Sequence, residues 1–208
     1  MGVCYIVGAA PSCDAFTPKE GDLVIAADGG LSALAKMGVR PDLAVGDFDS
    51  SRRPAGVACV VHPPEKDDTD TALAIREGMA RGYRTLALYG CTGGRLDHTL
   101  GAIQTALGAT RAGARVFLVG DGTVGTVLEN GSLRFAPVGT VTVLSLTDRS
   151  VGVTLEGLKY PLKDATLTND YPLGVSNEGN GTPATVSVKE GALYVLFASD
   201  ALPETLFD

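Results

Sequence analysis

An α/β fold, with an N-terminal mostly parallel sheet domain followed by an antiparallel all-β sandwich, is predicted by three features of this 208-residue chain. Apolar strand-like runs alternate with helical patterns up to about Gly120, which is the signature of strand–helix–strand units. Most of those runs are continuously apolar, as strands covered on both faces are. Beyond Gly120 helical periodicity disappears, and short runs separated by turn residues take over.

Taken in order, the expected strands of the first domain are Val3–Val7, Leu23–Ala27, Leu43–Val45, Val57–Val61, Leu86–Tyr89 and Val116–Val119. Gly30–Met37 reads as a helix with Leu31, Leu34 and Met37 on one side. Thr69–Arg81 places Ala72, Ile75 and Met79 together, with Thr69 or Asp70 as its N-cap. Thr99–Ala112 does the same with Leu100, Ile103 and Leu107. The second domain is expected to carry strands Thr126–Leu128, Ser132–Phe135, Val141–Leu146, Val151–Leu155, Thr185–Val188 and Leu193–Phe197. Glu129-Asn130-Gly131 and Lys189-Glu190-Gly191 are turn signals between them. The expected domains are residues 1–124 and 125–208.

Composition narrows the function classes. An apolar fraction of 45% with 20% charged residues is ordinary for a soluble globular protein. The net charge of −7 argues against nonspecific nucleic-acid binding, which needs a basic surface. No apolar run approaches the ~20 residues that span a bilayer, so no membrane partner is expected. The start, MGVCYIVGAAPSCDAF, lacks a basic n-region and reads as strand plus loop, so a cytoplasmic location is expected. Cys4, Cys13, Cys59 and Cys91 show no zinc-like spacing and fit free thiols in a reducing compartment.

The chemistry concentrates in acidic sites at strand ends. Asp28, Asp47 and Asp49 follow directly on small apolar runs in AADGG and VGDFDS, and a further knot, KDDTD, spans Lys66–Asp70. Carboxylates crowded together repel unless a cation sits among them. Hard oxygen ligands favour magnesium handling a polyphosphate. In an extended loop Asp47 and Asp49 point the same way and grip one cation or two neighbouring ones, and Asp70 adds a third carboxylate. A single such Asp is ordinarily a turn or cap residue; four sites this close in sequence are not explained that way. Lys66 contacts phosphate oxygens while an aspartate orients it or binds metal; as a plain surface pair it is worth under about 1 kcal/mol.

Gly90–His98, GCTGGRLDH, follows a strand and precedes a helix. Glycines let backbone amides approach phosphate, the helix start favours anions, and Arg95 offers a bidentate contact. Asp97 orients Arg95 or His98, accepts from a nucleotide, or caps the helix. In the second domain, Ser176 and Asn177 of GVSNE either hydrogen-bond a small heterocycle or form an ordinary turn.

The order ADGG, GDFDS, KDDTD, GCTGGRLDH, then SNE followed by VSVKEGALYVL resembles the thiamine pyrophosphokinase family over nearly the whole chain, from about Tyr5 to Phe197. The resemblance implies transfer of the pyrophosphoryl group of ATP to the thiamine hydroxyl, with Mg2+ as cofactor and AMP as the second product. It implies an α/β nucleotide domain, a thiamine-binding β-sandwich, and a homodimer whose active sites lie at the subunit interface. By position it implies that Asp47, Asp49 and Asp70 bind metal and that Asp28 lies at the thiamine and phosphate end. Lys66 and Asp67, with Thr92, Gly93, Gly94, Arg95, Asp97 and His98, would hold ATP. Asp28, Asp47 and Lys66 would carry the catalysis, and Asp28, Ser176 and Asn177 would contact thiamine. The chain has no Trp, so Tyr160, Tyr171 or an aliphatic residue would lie against the thiamine rings. Two rivals stand beside this reading. One is a phosphatase with Asp47 as covalent nucleophile; the other is a catalytically silent nucleotide or thiamine sensor.

Overall fold

The computed structural model describes residues 2–11, 13–48, 53–61, 68–199 and 202–203. The chain divides into two compact units, Met1–Asp121 and Gly122–Asp208.

The first unit contains strands β1 (Cys4–Val7), β2 (Leu23–Ala27), β3 (Leu43–Gly46), β4 (Ala58–Val61), β5 (Thr85–Tyr89) and β6 (Arg115–Gly120). Its helices are α1 (Gly30–Met37), α2 (Asp70–Ala80) and α3 (Leu96–Arg111). All six strands pair in parallel, in the order β6-β5-β1-β2-β3-β4. Burial of Ile6, Ile25, Val45, Leu88 and Leu118 explains the unbroken apolar runs, since helices cover the sheet. Right-handed crossovers place α1, which runs from β2 to β3, on one face. By the same rule α2 and α3 lie on the other, where they touch each other. The expected parallel α/β architecture is borne out.

Two helices differ in detail from the sequence pattern. α3 starts at Leu96, three residues before the expected Thr99, so Asp97 and His98 belong to its first turn. Its buried stripe is Ala102, Ala106 and Ala109, while Leu100 is exposed. Small side chains bring this helix close to the sheet, and the larger apolar residues fall on its flanks. α2 buries Leu73, Ala74, Ile75 and Gly78, and Gly78 packs on the Cys4 thiol. Its cap is Thr69, whose Oγ1 accepts from the Ala72 amide at 3.2 Å.

The second unit contains β7 (Thr123–Glu129), β8 (Ser132–Phe135), β9 (Val138–Ser145), β10 (Arg149–Glu156), β11 (Leu162–Thr168), β12 (Asn177–Asn180), β13 (Ala184–Ser187) and β14 (Ala192–Ala198). They form antiparallel sheets ordered β12-β9-β14-β7 and β11-β10-β13-β8. Phe135 of one sheet meets Phe197 of the other, ring centroids 5.0 Å apart, in the sandwich core. β11 and β12 carry no apolar run, so the sequence pattern passes over them. Both are edge strands, and LKDATLT and NEGN bury only Leu167, Asn177 and Gly179, with charged Lys163, Asp164 and Glu178 exposed, as edges that must not pair further do.

Candidate active site

In the parallel sheet β1 leads toward β2 on one side, while its other neighbour, β5, begins the return in the opposite direction. The β1/β5 junction is therefore the topological switch point, where open α/β sheets bind ligands beyond the strand carboxyl ends. A crevice of about 540 Å³ lies there. Ala9, Ala10 and Pro11 form one wall; Gly90, Cys91, Gly94, Arg95 and His98 form the other, and Thr71 of α2 contributes.

The backbone fixes these walls. The Gly8 amide donates to Tyr89 O and the Ala10 amide to Gly90 O, both at 2.8 Å, so the loop after β1 is tied to the end of β5. Gly90 has φ 60°, and a β-carbon there would meet Gly8 O at 2.8 Å. Only glycine fits that close approach. The starts of α2 and α3 both open on the crevice through Thr71 and through Arg95 and His98. First-turn amides and the helix dipole make such ends suited to anionic ligands.

Arg95 stands at the N-cap position of α3 and is largely exposed. Its Nε donates to Asp97 Oδ1 at 3.1 Å and its Nη2 to Asp97 Oδ2 at 2.6 Å. The hydrogen bond from Arg95 holds the Asp97 carboxyl down to about 2, helped by the His98 amide that donates to Oδ1 at 3.0 Å. Asp97 thus orients Arg95 and braces the first turn of the helix. Gly93 has φ 75° and packs against the Asp121 carboxylate. Thr92 is turned toward Gly120 and is not among the residues lining the crevice; its buried Oγ1 has no hydrogen-bond partner among the described residues.

The carboxylates lie at neighbouring strand ends. Asp28 follows β2, and its amide donates to Val45 O of β3 at 2.8 Å. A β-carbon on Gly46 would stand 3.4 Å from the Asp28 Cα, so Asp28 and Gly46-Asp47 are adjacent. Asp70 is the first residue of α2, at its positive end. Asp49, Lys66 and Asp67 lie outside the described residues, and among those described no three His, Cys, Asp or Glu side chains are grouped to hold a metal ion.

The extended path expected through Asp47-Phe48-Asp49 is corrected by the backbone. Phe48 has φ 56°, in the left-handed region, so the loop turns at this residue and the alternation of an extended strand does not apply. The Arg53 guanidinium lies 5.9 Å from the centre of the Phe48 ring.

In the second unit, Ser176 has φ 60° and its amide donates to Thr142 Oγ1 at 3.2 Å. Asn177 is not in a turn but opens β12, and it is 5% exposed. Its Oδ1 accepts from the amides of Tyr160 at 3.0 Å and Glu178 at 2.8 Å, and its Nδ2 donates to Tyr160 O at 2.7 Å. The side chain pins the backbone of Tyr160, an exposed aromatic.

Ala9, Ala10, Pro11 and Thr71 were not singled out by residue type. The signal that finds them is positional: GAAP follows the first strand of a parallel sheet, where the carboxyl end faces the ligand crevice.

A switch-point crevice with carboxylates at adjacent strand ends, in an α/β unit joined to an antiparallel sandwich, defines a two-unit α/β ligand-binding protein. Asp47 follows the third strand rather than the first, which does not suit the aspartyl-phosphatase alternative. Two family models match the chain: "Thiamin pyrophosphokinase, catalytic domain" over residues 17–118 and "Thiamin pyrophosphokinase, vitamin B1 binding domain" over residues 134–193. The thiamine pyrophosphokinase of Bacillus subtilis (strain 168) is 30% identical over 191 residues, 87% of this chain and 89% of that protein. The crystal structure of thiamin pyrophosphokinase from Geobacillus thermodenitrificans is similar at a TM-score of 0.83 and 29% identity, covering 96% of this chain and 98% of that one. That of a thiamin pyrophosphokinase family protein from Enterococcus faecalis gives 0.83 and 27%, covering 97% and 100%. The chain belongs to the thiamin pyrophosphokinase family.

Proposed function

We propose that this chain transfers the pyrophosphoryl group of ATP to the hydroxyl of thiamine, giving thiamine diphosphate and AMP. One observation carries the reading: in a chain of this family, Asp28 and Asp47 stand at the carboxyl ends of adjacent parallel strands in the unit that holds the switch-point crevice. Residues 1–124 bind ATP and metal, and residues 125–208 bind thiamine.

The donor chemistry suits magnesium. Asp28, Asp47 and Asp70 offer hard carboxylate oxygens, whereas burial pushes the thiols of Cys13 and Cys91 up to about 11, so they stay protonated and are poor ligands for soft metals. Asp47, Asp49 and Asp70 would hold the ion. Bound magnesium neutralises polyphosphate charge and fixes its orientation.

This chain's own residues do the rest. Gly94, Arg95 and His98 at the start of α3 grip ATP, Asp97 orients Arg95, and Lys66 with Asp67 steadies its phosphates. The thiamine oxygen forms a bond to the β-phosphorus, the bond from that phosphorus to the α,β-bridging oxygen breaks, and AMP leaves with that oxygen. Asp28 or Asp47 takes the hydroxyl proton late, because a loose transition state needs little help from a base. Ser176 contacts thiamine, and Asn177 sets Tyr160, which with Tyr171 offers an exposed ring to lie against it. The working form is a cytoplasmic homodimer with thiamine bound where two chains meet. No helix among the described residues is long and apolar enough to cross a membrane.

The test is incubation of the purified protein with ATP, magnesium and thiamine. AMP and thiamine diphosphate appearing in equal amounts is the expected result. Inorganic phosphate as the product, or binding without turnover, rejects the reading. Sedimentation at micromolar concentration checks the dimer.

A further inference from the structure

We infer that Lys36 of α1, with Ser32 one turn before it, holds phosphate oxygens of the nucleotide donor. The inference rests on the reading of ATP as a substrate and adds a phosphate ligand that neither the acidic motifs nor the glycine-rich loop supplies.

A second, smaller cleft of about 270 Å³ lies beyond the Ala9-Ala10-Pro11 wall, against α1. Those three residues line both clefts, so the two hollows flank one loop. Gly29, Ser32 and Lys36 face the smaller one. Their spacing of three and four residues puts them on one side of the helix. Gly29 directly follows Asp28, so the hollow adjoins the strand ends that carry the carboxylates.

Charge decides what this hollow takes. A triphosphate brought among carboxylates needs cationic partners. Arg95 and Lys36 are the basic side chains that line the two clefts among the described residues. The fork of Arg95 is engaged by both oxygens of Asp97. Lys36 forms no hydrogen bond or ion pair with a described residue, and its ammonium keeps three donors for a ligand. The Ser32 hydroxyl stands beside it. Gly29, the N-cap of α1, lines the same cleft and has no side chain to cap the helix, so the first-turn amides other than that of Ser32, which donates to Gly29 O, have no side-chain cap. Size agrees: pockets for whole drug-sized ligands measure about 300–1,000 Å³, so the larger crevice accommodates a nucleoside and the smaller hollow suits phosphate groups. The competing explanation is that a last-turn lysine merely complements the dipole of α1.

The experiment measures binding of inorganic tripolyphosphate, with magnesium, to the full-length protein and to its Lys36→Met and Lys36→Arg variants by calorimetry. Each variant's melting temperature is recorded, and KM is measured for ATP and for thiamine separately. Loss of a charge-assisted contact raises the Kd of Lys36→Met about tenfold, and Lys36→Arg recovers most of it. KM for ATP rises with it and KM for thiamine does not. A folded Lys36→Met protein that binds tripolyphosphate like the parent overturns the inference, as does a parent protein that does not bind it. A protein that binds tripolyphosphate through Lys36 yet forms no thiamine diphosphate leaves the inference standing and rejects the proposed activity. Normal Lys36→Met behaviour in a thiamine-diphosphate-forming enzyme rejects the inference alone.

Discussion

The polar residues singled out in the sequence serve different masters in the two units. In the α/β unit, Asp28 and Asp47 sit on loops past the strand ends, and two residues there, Asp28 and Phe48, hold left-handed backbone at φ 45° and 56°. Non-glycine residues in that region cost roughly 1–2 kcal/mol each, less for Asp. Both residues lie just past the carboxyl ends of strands, β2 and β3, the edge of the sheet on which open α/β folds bind ligands. In the β unit Ser176 carries the same kind of backbone, at φ 60°, but its neighbour Asn177 is buried and tied to Tyr160 by two hydrogen bonds. On the proposed reading the carboxylates of the first unit serve a ligand, whereas the second unit uses Asn177 to hold its own chain. The hydrogen bonds that Asn177 makes to backbone identify its duty; residue type does not.

The sharpest way to break this contrast is Asp47→Asn. If Asp47 serves the reaction and not the fold, turnover falls about 10²–10³-fold, the scale of losing one preorganised charge-stabilising group. The melting temperature falls by no more than a few degrees, because Asp47 is half-buried on the loop after β3 and asparagine keeps its shape. Steady-state rates beside a thermal melt check both halves. A variant that retains activity removes the carboxylate from the mechanism, and one that unfolds assigns it to the fold.

Alkaline pH separates the units by stability. All four cysteines are in the first unit, and burial pushes Cys4 up to about 12 and Cys13 and Cys91 up to about 11, from an ordinary value of about 9. A thiol whose folded-state value is raised favours the folded protein while it stays protonated. That stability is complete below pH 9 and is lost as pH climbs toward 11–12, where folding must expose or ionise it. The β unit lacks cysteine, and burial pushes its Tyr194 hydroxyl up to about 12. Amide exchange measured between pH 8 and pH 11 is expected to show the α/β unit opening first. Simultaneous opening of both units rejects this.

Asn177→Ala tests the other side of the contrast. It leaves the Tyr160 amide and carbonyl and the Glu178 amide without their side-chain partner. Three part-buried hydrogen bonds are lost, each worth about 0.5–1.5 kcal/mol, so the midpoint of thermal unfolding drops by several degrees. KM for thiamine rises as a consequence, through Tyr160. A rise in KM with an unchanged melt would instead make Asn177 a direct ligand.

Much of this was legible in the residues. Unbroken apolar runs such as LVIAA and TLALY mark strands with both faces covered, and acidic or glycine-rich segments directly after them mark the ligand end of the sheet. What was not legible had specific physical causes. NEGN and LKDATLT are edge strands whose pairing depends on a distant partner, β9 and β10, and not on local apolarity. The start of α3 is hidden because its buried face is alanine, while Leu96 and Leu100 are exposed and distort the stripe. The turn at Phe48 is invisible because a phenylalanine gives no signal of left-handed backbone. Lys36 looks like any exposed helical lysine until the cleft beside it is seen.

The smallest expected effect places a fold-serving polar residue inside the α/β unit itself. Thr69 caps α2, while the N-cap position of α3 is held by Arg95 without a side-chain cap bond. Thr69→Ala is therefore expected to cost about 1 kcal/mol, the usual loss on removing a threonine cap. Arg95→Ala is expected to leave stability within about 0.5 kcal/mol, since its partner Asp97 is exposed and simply returns to water. Activity should order them the other way. Arg95→Ala removes a crevice wall and raises KM for ATP, whereas Thr69→Ala frays the turn that begins with Asp70 and lowers the rate only modestly. Urea unfolding and ATP kinetics on the same two proteins decide it. If Thr69→Ala lost more activity than Arg95→Ala at equal stability, the start of α2 rather than that of α3 would be the chief anchor of the nucleotide. The division between ligand-holding and fold-holding residues would then have to be redrawn within the α/β unit.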